Sequence, residues 1–321
     1  MEPIVGIDLG TTNSAISVLV DGKPVIIEVD GQKTMPSCVG VDPAGQLLVG
    51  RPARNQAVSS PESTVLSIKR RMGQDTRISL GERSFSPQEI SAFILDKLKR
   101  TAQEHLGQEV KKAVITVPAY FNDSQRKATQ EAGALAGLEV VRIINEPTAA
   151  ALAYDASHAE NEKMLVYDLG GGTFDASLVV VENGVVEVMA SHGDTQLGGD
   201  DFDMELVKYV VRDFKELHGI HLGEDLRAQR RLKISLENAK WVLSDEPSVH
   251  VREEYISDDL HLEMEIGRDY YEQLIQPYIE KTLRSVHQCL HDADLLPRDI
   301  DKVMLVGGST RTPLVYRCLK D

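Results

Sequence analysis

The sequence predicts an α/β protein of two duplicated lobes around a central cleft, and three observations carry that prediction. Strand-like and helix-like segments alternate along the 321 residues, the pattern of sheets flanked by helices. Two hairpins share one grammar: Ile4-Val-Gly-Ile-Asp-Leu-Gly-Thr-Thr-Asn13 runs into Ser14–Leu19, and Leu165-Val-Tyr-Asp-Leu-Gly-Gly-Gly-Thr-Phe-Asp175 runs into Ala176–Val181. Aligning Asp8 with Asp168 makes them an internal repeat offset by half the chain, with the polar stretch Ser157–Lys163 as the boundary between halves.

In the first half, Asp21-Gly22 reads as a two-residue turn from the first hairpin into a strand at Pro24–Val29. Residues 31–81 are irregular, with short strands near Cys38–Val41 and Leu47–Val49 and a basic piece, Ser67-Ile-Lys-Arg-Arg-Met72. Ser86-Pro-Gln-Glu89 is a capping box opening a helix that carries Ile90, Phe93, Ile94 and Leu98 on one face and stops at Gly107. A buried-type strand, Lys112–Val117, ends at Pro118 and is followed by a polar helix over about Asn122–Ala136. The strand Glu139–Ile144 then delivers Asn145-Glu146-Pro147, with Glu146 held extended before the proline and an alanine-rich helix after it.

The second half repeats the plan. After its hairpin come a strand near 185–191, a helix opened by Leu197-Gly-Gly-Asp-Asp-Phe-Asp203, and a long charged helix over about Asp225–Leu243. Ser248–Glu254 and Leu260–Ile266 read as an antiparallel pair around a tight turn at Ser257-Asp258. A helix over Tyr270–His291, a strand at Lys302–Val306 and the turn Gly307-Gly-Ser-Thr-Arg311 complete the chain.

Composition excludes several functions. Fifty acidic residues against 35 basic ones leave a net charge of −15, which argues against a nucleic-acid surface, Lys69-Arg70-Arg71 being the local basic exception. No apolar run is long enough to span a bilayer, and Met1-Glu2-Pro3 leads into a strand rather than a signal peptide, so a cytoplasmic protein with no membrane partner is expected. Cys38, Cys289 and Cys318 lack CxxC spacing and suggest neither a disulfide framework nor a zinc site.

The hairpin turns carry the chemistry. Three consecutive glycines remove Cβ atoms, so backbone N–H groups can crowd around an anion. Asp168 and Asp175 suit a hydrated Mg²⁺ rather than a phosphate itself. By itself the second hairpin reads equally well as a plain glycine-rich turn; its repeat at Asp8 turns it into half of a phosphate clamp. The clamp would use N–H groups of Gly10–Thr12 and Gly170–Thr173 and the hydroxyls of Thr11, Thr12 and Thr173. Neither GxxxxGK[ST] nor GxGxxG occurs, so P-loop and dinucleotide readings fail.

Five motifs together carry a family resemblance. Gly6-Ile-Asp-Leu-Gly-Thr-Thr-Asn-Ser14, Val117-Pro-Ala-Tyr-Phe121, Asn145-Glu-Pro-Thr-Ala-Ala-Ala-Leu-Ala-Tyr154, Asp168–Asp175 and Gly307–Arg311 resemble, in order and over essentially the whole chain, the ATPase domain of the heat shock protein 70 (DnaK-type) chaperone family. The resemblance implies an actin-like ATPase fold of two ribonuclease-H-like lobes, each with a smaller subdomain. They would be 1–157 with a subdomain at about 37–110, and 158–321 with one at about 200–267. It also implies slow ATP hydrolysis, ATP or ADP with Mg²⁺ and K⁺, and, for the full-length protein, a J-domain co-chaperone, a nucleotide exchange factor and client peptides.

Site roles follow from the same resemblance. Asp8, Glu146, Asp168 and Asp175 resemble the carboxylates around Mg²⁺ and its waters, with Asp8 and Asp175 also matching K⁺ ligands. Lys69 resembles the lysine at the γ-phosphate and attacking water, and Thr173 the threonine beside that phosphate; the bland reading of Lys69 is a solvated basic turn. Asn13, Gly170, Gly171, Gly172, Gly198 and Gly199 fall in phosphate-side motifs. Glu237, Lys240 and Ser244, on one helical face, match ribose and adenine contacts, as do Gly307, Gly308, Ser309 and Arg311. Trp241, the only tryptophan, either stacks on the base or packs at the rim. Pro118 and Arg126 match a relay toward the neighbouring domain, although Pro118 serves equally as a strand terminator.

The pattern departs from the family in two places. The tight hairpin near Ser257-Asp258 resembles the short-loop bacterial branch. The chain also stops before the family's last second-lobe strand and helix, its hydrophobic linker and its peptide-binding domain, which implies an incomplete adenine pocket and a weakened second lobe. Two other readings use the same hairpins: an actin-like ATP-dependent filament protein and a small-molecule kinase of the superfamily.

Overall fold

The structure, a computed structural model, describes residues 2–155, 162–182 and 185–320. In the first strand, Ile4–Asp8, Val5 and Ile7 point into the core while Asp8 emerges at the exposed end, the period of two that a half-buried strand requires. This strand pairs antiparallel with Asn13–Val20, from Val5 opposite Val18 to Asp8 opposite Ala15. Asp21 and Gly22 take φ of 50° and 77°, the two positive values that a twisted two-residue hairpin turn needs, and lead into Lys23–Ile27. The first sheet runs in the order Glu139–Asn145, Lys112–Val117, Ile4–Asp8, Asn13–Val20, Lys23–Ile27, with Met35–Pro36 added beside Asn13–Val20.

The second sheet runs Val185–Asp194, Phe174–Glu182, Glu162–Leu169, Lys302–Val306. Its pairings, two antiparallel and then one parallel, repeat those of Lys23–Ile27, Asn13–Val20, Ile4–Asp8 and Lys112–Val117. The sequence repeat is therefore a repeat of topology, with Asp8 and Asp168 near the carboxyl ends of equivalent strands. Ligands of parallel-strand sheets collect beyond such ends.

Helix signals were legible. Ser86 and Glu89 form the reciprocal capping box of Pro87–Leu106, which stops at Gly107 in the left-handed conformation (φ 63°). Asn122 and Gln125 do the same for Asp123–Leu135. Asp225 caps Leu226–Asp245, and Arg268–Asp292 tolerates Pro277 inside it.

Two local expectations are corrected. Glu146 is not extended but opens the helix Glu146–Asp155 directly after Asn145. Pro147 falls in the first turn, where its missing N–H costs no helical bond, and the Glu146 carboxylate gains the positive end of the helix dipole. The turn placed at Ser257-Asp258 lies one residue later: Ser257 pairs with Leu260, so Asp258 and Asp259 make the loop, and a register shift with Tyr255 at φ 50° absorbs the difference. Residues 157–161 of the expected boundary, and with them the 157/158 division, lie outside the described residues.

The core divides along the repeat. One apolar cluster joins the first sheet to Pro87–Leu106 and Asp123–Leu135; another joins the second sheet to the three long helices beyond it. A third cluster sets Ala151 against Met164, Val166, Val179 and Val181. The helix that leaves the first sheet thus packs on the second, and it carries Glu146 to the junction of both. Among the described residues no helix is long and apolar enough to cross a membrane.

Candidate functional site

The two hairpin turns meet at a cavity of about 440 Å³ and both contribute to its lining. The first lobe lines it with Asp8, Gly10, Thr11, Thr12, Asn13, Lys69 and Glu146, the second with Asp168, Gly170, Gly171 and Thr173. Glu237, Lys240, Trp241 and Ser244, on one face of Leu226–Asp245, make one side wall; Gly307, Gly308 and Ser309, after Lys302–Val306, make another. These residues span most of the chain and meet in one place.

Five expected site residues stay outside the lining. Gly172 turns away from the cavity, where a Cβ would lie 2.5 Å from Thr11 Cγ2 and 2.7 Å from Arg70 Nε. Gly198 and Gly199 sit behind the loop: the Gly199 N–H donates to the Gly170 carbonyl at 3.0 Å, and the Asp200 N–H to that of Gly171 at 2.7 Å. Asp175 is buried behind the hairpin and accepts the Tyr120 N–H at 3.1 Å. Arg311 is exposed at the end of the turn Gly308–Arg311. All five support or flank the cavity wall in this arrangement.

The head of the cavity is densely charged. Lys69, only 5% exposed, donates from Nζ to Glu146 Oε1 at 2.7 Å. Burial works against its ammonium, but Glu146, Asp8 and Asp168 outweigh that penalty and hold the amine above its ordinary range. Burial pushes the Glu146 carboxyl up although Lys69 pulls it down. Burial first, then Glu146 and Asp8, push Asp168 up to about 8 against the pull of Lys69, and burial with Glu146 and Asp168 raises Asp175 well above the carboxylate range. One ammonium stands among four carboxyl groups, three of them held above their ordinary range by burial and by one another, the crowding that a hard cation relieves by favouring the ionised forms. Among the described residues no three such groups converge tightly enough to hold a metal directly. The donor set fits a cation that keeps its water and shares it with an anionic ligand.

The hairpin turns touch. A Cβ on Gly171 would lie 1.8 Å from Thr12 Oγ1, so only glycine permits this approach. Arg70, from the first lobe, donates from Nε to the Gly172 carbonyl at 2.9 Å and pairs through its guanidinium with Asp201. Asp201 in turn accepts the Gly198 N–H at 2.8 Å, so one guanidinium ties down both second-lobe loops. Ser309 donates to the Gly170 carbonyl at 2.9 Å.

At the far end, Lys240 Nζ lies 2.6 Å from Asp203 Oδ1 and donates to the Gly199 carbonyl at 3.0 Å. Burial pushes Asp203 up to about 6 against that lysine. Trp241 is 63% exposed on the cavity wall. Arg54 reaches from the first lobe to pair with Glu237. Near the base, Arg126 gathers the carbonyls of Ala119 and Phe121 and the Asn145 side chain at 2.8–3.0 Å, fixing the loop after Pro118.

Sequence reasoning missed Thr116, whose hydroxyl donates to Asp8 at 3.2 Å, and the cross-cleft Arg54 and Arg70. Thr116 sits opposite Asp8 in the parallel register, a pairing that local spacing does not reveal. Arg54 and Arg70 carried only the signal of basic residues in an irregular segment.

The sequence profile of the Hsp70 protein family matches residues 4–80 and 74–321. The chain belongs to the Hsp70 family. It is similar to the chaperone protein DnaK of Thermotoga petrophila and of Thermotoga maritima, 51% identical to each over 328 aligned positions. The chaperone protein DnaK of Thermosipho africanus is 50% identical over 327. Each alignment covers 100% of this chain and 55% of the relative, so the chain spans about half the length of the curated relatives it matches. The two sheets of repeated topology are the actin-like ATPase fold of the Hsp70 family. Membership in it favours neither the filament nor the small-molecule-kinase reading.

Proposed function

We propose that this chain binds ATP or ADP between its lobes and hydrolyses ATP slowly, as the nucleotide-driven part of a DnaK-type chaperone. The observation that carries the reading is the meeting of Lys69, Glu146, Asp168 and Thr173 at the end of a cavity lined by two glycine hairpins. The turns offer backbone N–H groups and threonine hydroxyls to phosphate oxygens. Lys69, held charged by its carboxylates, neutralises charge on the transferring phosphoryl group, and Glu146 fixes its position. Thr173 orients the phosphate against the attacking water; the bond to the β-phosphate breaks and a proton is released to solvent. Asp8 and Asp168, exposed and cavity-lining, would hold Mg²⁺ through its water shell with Asp175 behind them, and the ion would supply charge neutralisation at the phosphate oxygens; Asp8 and Asp175 would suit K⁺. Glu237, Lys240 and Ser244 would receive the ribose and base opposite Gly308, with Gly198, Gly199 and Arg311 supporting from outside the lining.

For the whole protein the same reading proposes a cytoplasmic chaperone whose nucleotide state is passed to a client-binding part and read by a J-domain co-chaperone and an exchange factor. The chain should bind ATP and show single-turnover hydrolysis by acid quench. Lys69→Ala should keep nucleotide affinity within a few-fold and slow hydrolysis by about 10²- to 10³-fold, the usual cost of one preorganised charge-stabilising donor. Hydrolysis at the unaltered rate in that variant would remove Lys69 from the mechanism, and failure to bind ATP would remove the reading.

A further inference from the structure

Three cavities lie in series above the hairpins. Thr11, Thr12 and Glu237 wall both the main cavity and a neighbouring space of about 20 Å³, which has room for about one water. Leu66, Ser67, Asp200 and Lys233 wall both that neck and a third cavity of about 360 Å³ beyond it. The third cavity inverts the charge of the protein: in a chain of net charge −15, it is lined by Arg70, Arg71, Arg230 and Lys233 with Asp200 as the one carboxylate. Lys233 pairs with Asp200 at 3.2 Å and Arg70 with Asp201. Arg71 and Arg230 have no ion-pair partner among the described residues. Four cations gathered around one open depression raise the local positive potential. The lining offers no aromatic face for a base, only Leu66 and Met204 as larger apolar groups, whereas guanidinium forks match a small tetrahedral oxyanion.

We propose that this basic cavity is a binding site for inorganic phosphate, joined to the phosphate end of the cleft through a neck latched by the Ser67–Asp200 hydrogen bond and the Arg54–Glu237 ion pair. Its role as the exit vestibule for cleaved phosphate rests on the hydrolytic reading above; its capacity to bind phosphate does not. A neck with room for one water does not pass phosphate, so release waits on parting of contacts that cross between the lobes.

Inorganic phosphate titrated into the chain by calorimetry, without nucleotide and with ADP, tests the site. Arg71→Ala/Arg230→Ala should weaken phosphate binding about tenfold or more, the loss of one to two charge-assisted contacts, while leaving ADP affinity unchanged. Arg71→Lys/Arg230→Lys, which keeps the charges but loses the forks, should bind phosphate more weakly than the unaltered chain and more tightly than the double alanine variant, and Lys69→Ala, altered only in the main cavity, should bind phosphate as the unaltered chain does. Phosphate binding that survives the double alanine variant but is lost in Lys69→Ala would put the anion in the main cavity and overturn the proposal, as would an unaltered chain that binds no phosphate. Failure of ADP to bind would instead overturn the nucleotide reading and leave the nucleotide-free arm to decide this one.

Discussion

Lys69 and Glu146 form an ion pair at 2.7 Å between side chains 77 positions apart in the chain, one from a 3₁₀ turn and one from the start of a helix. Local sequence sets the 3₁₀ turn and the helix start; only the tertiary fold brings the two side chains together. With Glu146→Gln, Lys69 loses its strongest opposing charge and its positional anchor. Single-turnover hydrolysis should fall by about tenfold or more while ADP affinity holds. An unchanged rate constant would mean that Lys69 is positioned by other contacts.

The contact between hairpin turns predicts an asymmetric response to alanine. At Gly170 a Cβ would meet nothing closer than 3.6 Å, so Gly170→Ala should be tolerated. At Gly171 it would lie 1.8 Å from Thr12 Oγ1 and 3.1 Å from Thr12 Cβ, so the Thr12 side chain or the turn that carries it must shift. Overpacking of this kind costs about 1–3 kcal/mol, so ADP affinity of Gly171→Ala should drop by about tenfold. Equal affinities for the two variants in calorimetry would contradict the turn-to-turn contact.

The raised carboxyl of Asp168 predicts a pH dependence of stability without nucleotide or divalent ion. Burial and the charge of Glu146 hold its folded-state value near 8, against 3.8 for the free side chain. The folded chain therefore keeps a proton that the unfolded chain has released, and stability declines as pH rises through that window. Thermal unfolding should show a falling midpoint from about pH 4 to pH 8, flattened in Asp168→Asn. Mg²⁺ with ADP should flatten it as well, because a bound cation favours the ionised carboxylate.

Trp241 offers a probe that needs no label. It is the only tryptophan and lines the cavity wall while 63% exposed. If it stacks on the base, ADP should change its emission, and Trp241→Ala should weaken ADP binding by about 1–3 kcal/mol. Emission that ADP leaves untouched would place Trp241 at the rim.

Much of the fold was legible because the signals are local. Turn residues at Asp21-Gly22, the capping box at Ser86 and the αL glycine at Gly107 set element ends without reference to distant parts of the chain. The errors fell where a local rule met a second influence. The proline after Glu146 predicts an extended residue, yet the helix takes in Glu146 while its alanine-rich turns pack on the second sheet. The turn at Asp258-Asp259 moved by one residue because a register shift at Tyr255 absorbs a residue that strict alternation does not foresee.

The sequence by itself determined the duplicated hairpins, the alternation of strand and helix and the identity of most side chains facing the cavity, since period, capping and glycine content act within a few residues. Only the tertiary structure decided which of those residues line the cavity and which support it from behind. Asp175, Gly172, Gly198 and Gly199 share the spacing of their neighbours, but strand register and the depth of each turn put them behind the wall. It alone also brought Arg54 and Arg70 across the cleft and gathered Arg71, Arg230 and Lys233 around one space, because charges far apart in the chain acquire a shared field only when the lobes close on each other.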